Sequence, residues 1–425
     1  MATILGRVDP IASRPTIVRA EGVHVFGADG RRYLDAVSGA FCVSLGYTRP
    51  DLVRAMTDAA GRLPFARRAA FENPEAEAYT RELLEEAGGG FARIVLTSSG
   101  SEAVDAALKL AWRYQAAVGH AERTRFAWRP GHYHGATLGA LGVTGWAARR
   151  RPYEALLGGA PPASVPAAAA PVHIPAAHIL ETIPAAGLGA SVPPTGALAR
   201  LRAECDAAGA LWIADEVLTG FGRCGALFGW QRLAERAEDF GAAPDLAVFG
   251  KGAGAGFAAL GGVLVGARVV AALEALPAGQ RFAHFQTYGG NPIACAVGRA
   301  VLAALKEERL FARVREAEPE LDRALESAAS HPAVREVRGL GFLRGVVLRG
   351  VGIAARVEGA CRERGLLVYA AQASAVPGGD AAAPLNEGGP GADFLLLAPP
   401  LVTDAPALRE IGATLRAALD AVLPA

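Results

Sequence analysis

Short apolar runs alternate with longer amphipathic stretches through most of the chain. The runs are RIVLTS (93–98), HILE (178–181), LWIAD (211–215), LAVFG (246–250) and GGVLV (261–265). Hydrophobicity is continuous within each run, which is typical of strands covered on both faces. The stretches between them, such as SEAVDAALKLAWRY (101–114) and TGALARLRAECDAAG (195–209), have apolar residues at helical spacing. The pattern therefore predicts an α/β protein.

The pattern changes near residue 292. A long helical stretch, NPIACAVGRAVLAALKEERLFARV (291–314), is followed by strand-like pieces in VREVRGLGFLRGVVL (334–348) and by a terminal helix. We expect a smaller C-terminal domain completed by the N-terminal residues, with boundaries at 1–46, 47–300 and 301–425. Residues 152–177 and 371–393 are rich in Ala, Gly and Pro, and we expect them to be surface loops.

Composition argues against several classes of protein. The 425 residues include 43 basic and 42 acidic side chains, so no positive excess favours binding to nucleic acid or an anionic membrane. The N-terminus lacks the apolar core of a signal peptide, and no apolar segment is long enough to predict a membrane span. The five cysteines are scattered without CxxC spacing, which indicates reduced thiols in a cytoplasmic protein.

Lysine is rare in this chain, and one lysine has an unusual position. Only Lys109, Lys251 and Lys306 are lysines among the 43 basic residues. Lys109 and Lys306 fall in helical stretches as solvated side chains would. Lys251 instead stands between the apolar run LAVFG and the glycine-rich GAGAG. An arginine cannot replace a lysine that must act as a nucleophilic amine, so Lys251 is the candidate reactive residue.

Two other strand ends carry candidate binding residues. In TSSGSEA (97–103), Gly100 and Ser101 would present backbone N–H groups to an anion such as phosphate at a helix N-terminus, although ordinary capping by Ser99 would also explain the segment. In LWIADEV (211–217), Asp215 could hold a cationic ring nitrogen and Val217 could pack on the ring. A metal ligand or a helix cap is the alternative for the carboxylates. Ligands of α/β sheets collect at such strand ends.

The remaining motifs are weaker alone. FGKGAGAG (249–256) is not a P-loop, because Asp245 replaces the required glycine and Gly252 follows the lysine. GHYHG (131–135) offers Tyr133 as an aromatic plate, whereas its two histidines without a third ligand are weak support for a metal site. FQTYGGNP (285–292) offers the hydroxyl of Thr287 for a phosphate contact.

Together these segments resemble the class III aminotransferases, which are fold type I enzymes dependent on pyridoxal 5′-phosphate (PLP). The resemblance runs from DGRRYLDAVSGAFCVSLGYTRPDLVRAM through TSSGSEAVDAALKLAWRY, YHGAT and IADEVLTGFGRCG to PDLAVFGKGAGAG, TYGGNPIACA and LLLAPPLVT. It implies a large domain with a mostly parallel seven-stranded sheet and a smaller α+β domain built from both termini. It also implies a homodimer with shared active sites, no metal, and transfer of an amino group between an amine or amino acid and a 2-oxo acid.

The resemblance also assigns roles to residues. It implies that Lys251 forms the internal aldimine and that Asp215 pairs with the pyridine nitrogen. Glu181 takes the place of a family glutamate near the substrate and the 3′ oxygen of the cofactor. The remaining cofactor-binding residues that it implies are Gly100, Ser101, Tyr133, His134, Val217 and, from the other subunit, Thr287. Aminomutases, epimerases, decarboxylases and lyases of the same family share these residues, so another such activity is the alternative to transamination.

The chain also departs from the family pattern. The segment between YHGAT and Glu181 is short, and Thr182 follows the glutamate where many members have Pro. Tyr369 stands where many ω-amine members have a carboxylate-binding arginine, so the sequence names no residue for that purpose. Phe41 and Tyr47 are candidate pocket residues, with core packing as the alternative.

Overall fold

The computed structural model describes residues 15–157, 174–372 and 392–423. In these ranges the strands are β1 (Ile17–Glu21), β2 (His24–Gly27), β3 (Arg32–Asp35), β4 (Phe91–Thr97), β5 (Phe126–Ala127), β6 (Ala177–Glu181), β7 (Leu211–Asp215), β8 (Leu246–Phe249), β9 (Gly261–Gly266), β10 (Val334–Leu340), β11 (Leu343–Leu348), β12 (Leu366–Leu367), β13 (Tyr369–Gln372) and β14 (Asp393–Leu397). The α-helices are α1 (Ser38–Phe41), α2 (Pro50–Arg62), α3 (Pro74–Ala87), α4 (Gly100–Ala117), α5 (Leu138–Gly142), α6 (Ala147–Arg150), α7 (Ala197–Ala208), α8 (Gly229–Leu233), α9 (Ala267–Glu274), α10 (Pro292–Glu307), α11 (Leu310–Ala329), α12 (Ala354–Glu363) and α13 (Ala405–Val422).

The central sheet has the strand order β4-β9-β8-β7-β6-β5. Strands β5 to β8 are parallel, and β9 is antiparallel to both of its neighbours. The predicted fold class with a mostly parallel sheet is confirmed. The described ranges contribute six strands to this sheet rather than the expected seven, and its edge strand β5 has only two residues.

All five predicted apolar runs form strands of this sheet, because each is covered on both faces. Strand β7 is the clearest case, since all five of its residues are buried. Its residues Leu211 and Ile213 pack in the cluster that contains α4, whereas Trp212 and Ala214 pack in the cluster that contains Leu198 of α7. Helices on both faces explain why the runs lack polar alternation.

The strands that follow the long C-terminal helices form a second layer of structure. Strands β10, β11, β14 and β13 make an antiparallel sheet. A further sheet has the order β1-β2-β3-β12, and its β3–β12 pair joins residues near both ends of the chain. This agrees with an α+β part built from both termini, whereas the boundaries at 46–47 and 300–301 stay predictions.

The helical stretch predicted over 291–314 forms parts of two helices rather than one. Helix α10 ends at Glu307 and α11 begins at Leu310, with Arg309 between them in the left-handed region at φ 52°. Gly and Asn are the residues that usually occupy a left-handed position at a helix end. Because residue 309 is an arginine, local sequence does not predict the break between the two helices.

The two predicted loops lie partly outside the described residues. Residues 158–173 and 373–391 belong to this undescribed part of the chain. At the borders the structure corrects the predictions, because Arg151–Leu156 is a 3₁₀ helix and residues 371–372 and 393 belong to β13 and β14. Within the described ranges no helix has the length and apolar character that crossing a bilayer requires.

Candidate active site

The carboxyl ends of the parallel strands place several of the candidate residues around one cavity. Strands β6 and β7 are in register, so that Glu181 pairs with Asp215 as the last residue of each strand. The cavity has about 630 Å³ of empty volume, part of it open to solvent. It is lined by Gly100, Ser101, Tyr133, His134, Gly135, Glu181, Ala186, Asp215, Val217, Leu218 and Lys251. Thr287 is the one candidate cofactor-binding residue outside this lining, and the candidate pocket residues Phe41 and Tyr47 are also outside it.

Lys251 enters this cavity from a strained turn. It begins the 3₁₀ segment Lys251–Gly254 directly after β8, and its φ is 43°. A positive φ is uncommon for a residue with a side chain and needs support from its surroundings. The Nζ atom lies 5.5 Å from the ring centroid of Phe41. Burial lowers the pKa of Lys251, and the negative charge of Asp215 partly opposes this shift.

Asp215 is fixed by hydrogen bonds to both of its oxygens. His134 Nδ1 donates to Oδ2 over 2.7 Å, and the backbone N–H of Val217 donates to Oδ1 over 3.0 Å. Because a carboxylate only accepts, this contact places the proton of the neutral imidazole on Nδ1. The Nε2 atom of His134 has no hydrogen-bond partner among the described residues. The pair therefore presents a buried carboxylate of fixed orientation to the cavity.

The N-terminus of α4 forms another wall, and Gly100 is required there. A Cβ atom at Gly100 would lie 2.9 Å from both Cγ atoms of Val217. Ser99 caps the helix by accepting from Glu102 N–H at 3.3 Å. The Glu102 carboxylate accepts from the backbone N–H of Ser98, the residue before the cap, at 2.9 Å. Backbone N–H groups at this helix end favour an anion.

Glu181 is a buried carboxyl group that keeps its proton at neutral pH. Burial and the nearby charge of Asp215 raise its pKa to about 8. Its Oε2 accepts from Tyr133 N–H at 2.8 Å, and its own backbone N–H donates to His132 Nδ1 at 3.0 Å. Burial holds the pKa of His132 well below its usual range.

The two histidines of GHYHG thus have separate partners. His132 accepts from the backbone of Glu181, and His134 donates to Asp215. Within the described ranges no three His, Cys, Asp or Glu side chains are grouped to hold a metal ion.

Aromatic side chains surround the cavity. Tyr133 packs edge-on against Trp146 with ring centroids 5.9 Å apart, and Phe41 packs edge-on against Tyr369 at 5.4 Å. Phe41 therefore lies beside the site, as one reading of the sequence predicted. Tyr47 instead donates its hydroxyl to Asp35 at 2.7 Å, which supports the packing alternative. The sequence did not predict a role for Trp146, because no motif in the neighbouring residues distinguishes it from a core tryptophan.

Glu216 explains the second acidic residue of the Asp-Glu pair. Its carboxylate accepts from the hydroxyl groups of Thr182 and Thr219, both at 2.5 Å, and from the backbone N–H groups of Gly229 and Trp230 at 2.7 and 2.9 Å. The side chain is fully buried and faces away from the cavity lining. Thr182, where many relatives of the resembled family have Pro, thus holds a structural carboxylate.

Thr287 lies on an exposed segment. It is solvent-exposed, and its neighbours Phe285 and Tyr288 are 73% and 63% exposed. Tyr288 packs edge-on against Phe65 at 6.3 Å. Within one chain, Thr287 does not meet the residues that line the cavity.

Comparisons with known proteins agree with this arrangement. The family model for class III aminotransferases matches residues 8–377. An omega-aminotransferase of Caulobacter vibrioides is 32% identical over 95% of this chain and 93% of its own, and a putrescine–pyruvate aminotransferase of Pseudomonas aeruginosa is 30% identical over 95% and 90%. An acetylornithine aminotransferase of Xylella fastidiosa is 34% identical over 84% and 85%.

Solved structures give the same result. A PLP-bound amine transaminase from an uncultivated Pseudomonas species superposes with a TM-score of 0.81 at 27% identity, covering 99% of this chain and 98% of its own. A Bacillus anthracis aminotransferase superposes with a TM-score of 0.83 at 27% identity, covering 99% and 96%. This protein belongs to the class III aminotransferases, which are PLP-dependent enzymes.

Proposed function

We propose that Lys251 holds PLP covalently and that the enzyme moves an amino group between an amine or amino acid and a 2-oxo acid. The observation that carries this assignment is the position of the three lysines. Lys109 and Lys306 are exposed on helices α4 and α10, whereas Lys251 lines the cavity between Asp215 and the N-terminus of α4. The amine therefore lies next to a carboxylate that can pair with a cationic ring nitrogen and next to a helix N-terminus that can bind a phosphate.

The residues of the cavity fit PLP. Val217 leaves no room for a side chain at position 100. Because that position is a glycine, the N-terminus of α4 stays accessible to a phosphate. Tyr133 and Val217 both line the cavity, where they can pack on the two faces of a planar ring. The buried Nε2 of His134, unpartnered among the described residues, fits a ligand whose polar atoms complete the site.

When bound, PLP supplies an electron sink that makes a C–H bond of the attached amine acidic. Asp215 keeps a positive charge on the ring nitrogen because its own orientation is fixed by His134 and by Val217 N–H. Lys251 Nζ accepts the proton from the amine-bearing carbon of the substrate. Burial lowers the pKa of this amine, which raises its neutral, proton-accepting fraction.

Glu181 contributes an uncharged carboxyl group to the same cavity. Its Oε2 accepts from Tyr133 N–H at 2.8 Å and its Oε1 accepts from Ala185 N–H at 3.5 Å, so we infer that the proton is carried on Oε1, the oxygen with the longer contact. With a pKa of about 8, the protonated oxygen can donate a hydrogen bond at neutral pH and loses this proton only in alkaline solution.

We infer that the active enzyme is a homodimer in which Thr287 completes the phosphate site of the partner. The support is that Thr287 is exposed and flanked by the exposed aromatic rings of Phe285 and Tyr288. Large exposed apolar side chains in a row are typical of a protein–protein interface. Light scattering at several concentrations tests this assembly, and a monomer with full activity would contradict it.

The substrates are proposed from the pocket and the relatives. Tyr133 lines the cavity and packs against Trp146, and Phe41, which lies near Lys251, packs against Tyr369, so aromatic rings lie beside the proposed substrate site. Relatives are named for putrescine and pyruvate and for acetylornithine, so we propose a primary amine as donor and a 2-oxo acid such as pyruvate as acceptor.

Mixing the holoenzyme with one amine at a time, without acceptor, tests transamination directly. Loss of the visible cofactor absorbance with release of the matching aldehyde or oxo acid is expected for a true donor. The panel includes putrescine, N-acetylornithine, L-alanine and L-glutamate. No spectral change with any of a broad set of amines would contradict the proposed reaction.

We also propose a cytoplasmic location. Its support is that all five cysteines are free thiols, four of them buried. Cell fractionation tests it.

A further inference from the structure

A second cavity lies behind the active site, between the central sheet and helix α7. It has about 500 Å³ of empty volume, part of it open to solvent. One side is apolar and is built by Leu180 of β6, Trp212 of β7, and Leu198 and Leu201 of α7. Pockets for small molecules commonly combine an apolar wall with a few polar groups.

Arg129 is the basic residue that lines this cavity, and its guanidinium has no partner among the residues that the structure describes. The side chain is half-buried and lines the cavity. It makes no hydrogen bond or ion pair with any other described residue, although the charge of Glu204 acts on it from a distance. Arg202, another partly buried arginine, is by contrast paired with Asp245 at 2.8 Å.

A partly buried cation without a partner is costly unless a ligand supplies the opposite charge. Burial lowers the pKa of Arg129, but a guanidinium stays protonated at neutral pH. Two neutral donors lie in the same lining. The Ser191 hydroxyl has no hydrogen-bond partner in the described ranges, and His132 carries its proton on Nε2 because Nδ1 accepts from Glu181 N–H. These groups suit an anion with two oxygens.

The second cavity shares a wall with the active site. Glu181 lines both cavities, and His132, which lines the second, accepts from the backbone N–H of Glu181. A ligand near Arg129 and His132 therefore lies next to a residue at the active site. It would not need to overlap the substrate to alter the position of Glu181.

We propose that this cavity is a separate binding site for a small carboxylate with a short apolar tail, and that its occupation modulates turnover. The carboxylate pairs with Arg129, and the tail packs on Leu198, Leu201 and Trp212. A sulfate-like inorganic anion would leave the apolar wall without a partner, so a carboxylic acid with a branched aliphatic tail is the matching chemistry. The site is distinct from the one that takes PLP and the amino donor.

Calorimetric titration of the holoenzyme with 4-methylpentanoate tests the site, because this acid has neither an amine nor an oxo group and cannot react. We expect saturable binding that weakens at least about tenfold in Arg129→Gln, since a charge-assisted hydrogen bond is lost. Arg54→Gln is the matched control, as Arg54 is exposed on α2. The neutral amide of the same acid should bind as weakly to the unmodified enzyme as the acid binds to Arg129→Gln.

A second variant leaves the charge in place. Ala197→Leu adds carbon atoms to the cavity from the start of α7 and should weaken binding of the acid without changing the cofactor content. If the unmodified enzyme shows no saturable binding, or if Arg129→Gln and Ala197→Leu bind the acid as tightly as it does, the proposal is overturned.

Kinetics distinguish a separate site from an extension of the substrate pocket. The acid should lower kcat with both substrates saturating, and Arg129→Gln should lose this effect while its uninhibited rate stays near that of the unmodified enzyme. Inhibition that is purely competitive with the amine or the 2-oxo acid would show that the acid occupies the substrate site and would overturn the proposal. The binding measurement needs no turnover, so it remains valid if the proposed substrates are wrong.

Discussion

The Nδ1 atom of His134 lies 2.7 Å from the Oδ2 atom of Asp215, and both side chains are almost completely buried. The second carboxylate oxygen accepts from Val217 N–H. An anion held by two donors has little freedom to turn. The proposed role of Asp215 toward the ring nitrogen depends on this arrangement.

Replacing Asp215 by Asn tests that role. The amide has the same shape but no charge, so we expect Asp215→Asn to bind PLP and to turn over slower by orders of magnitude, about 10² or more. Single-turnover rates with a competent donor measure the effect. Asp58→Asn, at an exposed position of α2, serves as the control. Near-normal turnover in Asp215→Asn would remove the carboxylate from the mechanism.

Lys251→Arg should keep the fold and the dimer but lose covalently held PLP. A guanidinium stays protonated and does not condense with an aldehyde. Borohydride treatment followed by mass spectrometry of the intact protein gives the readout, with Lys306→Arg as the control because Lys306 is exposed and forms only a surface ion pair with Glu86. Cofactor that remains linked after dialysis and reduction of Lys251→Arg would contradict the assignment.

The protonation of Glu181 predicts a pH effect on activity. With a pKa raised to about 8 by burial and by Asp215, the carboxyl group loses its proton as the solution passes from neutral to alkaline. We expect kcat/KM to change near pH 8 in the unmodified enzyme. Glu181→Gln should lack this transition, whereas Glu307→Gln, at an exposed position of α10, should keep it. A profile unchanged by Glu181→Gln would assign the transition to another group.

The same shift predicts an effect on stability. The pKa of Glu181 is higher in the folded enzyme than its ordinary value of 4.5, so the folded state binds a proton that the unfolded state releases between about pH 4.5 and 8. This contribution to stability is complete below pH 4.5 and is lost as the pH rises through 8. Denaturant unfolding of the apoenzyme should therefore show Glu181→Gln gaining stability relative to the unmodified protein across this range.

Gly100→Ala should weaken PLP binding through a clash with Val217. The new Cβ would lie 2.9 Å from both Cγ atoms, and overpacking of this kind costs about 1–3 kcal/mol. Val217→Ala in the same chain removes those atoms and should restore part of the affinity. Gly61→Ala on α2, where nothing lies within 4 Å, is the control. Cofactor titration by fluorescence measures all four proteins, and an unchanged Kd for Gly100→Ala would show that the contact is not restrictive.

Complementation tests the proposed contribution of Thr287 to the partner's site. Lys251→Ala homodimers should be inactive, and Thr287→Ala homodimers should hold PLP more weakly. A mixed dimer of the two variants has one site with both residues intact, so activity at limiting PLP should exceed that of either homodimer. If mixing gives no gain although mixed dimers form, Thr287 does not act across an interface.

Much of the fold follows from local pattern. Strand β7 coincides with the predicted run 211–215 because every one of its residues is buried, and such runs stand out from any neighbouring helix. The break at Arg309 was missed because the left-handed residue there is one that the sequence does not mark. Backbone conformations imposed by distant packing are not visible in local sequence.

The site was predicted only as far as residue types constrain it. Lys251 and Asp215 could be singled out because a lysine and a carboxylate at buried strand ends need a reason. Trp146 and Leu218 give no such signal, since an apolar side chain in a cavity has the same sequence character as one in the core. Arg129 has no partner among the described residues because of its three-dimensional surroundings, which a single sequence does not specify.

The two neighbouring acids at the end of β7, Asp215 and Glu216, also specify the register of this strand. Thr182, Thr219 and two backbone N–H groups surround Glu216 on one side, and His134 meets Asp215 on the other. A shift of the strand by a single position would turn each carboxylate to the opposite face, which would take Glu216 from its four donors and Asp215 from the imidazole. A structure with the wrong acid in the cavity would therefore lose several hydrogen bonds at once. These hydrogen bonds favour the strand register that places Asp215 in the cavity.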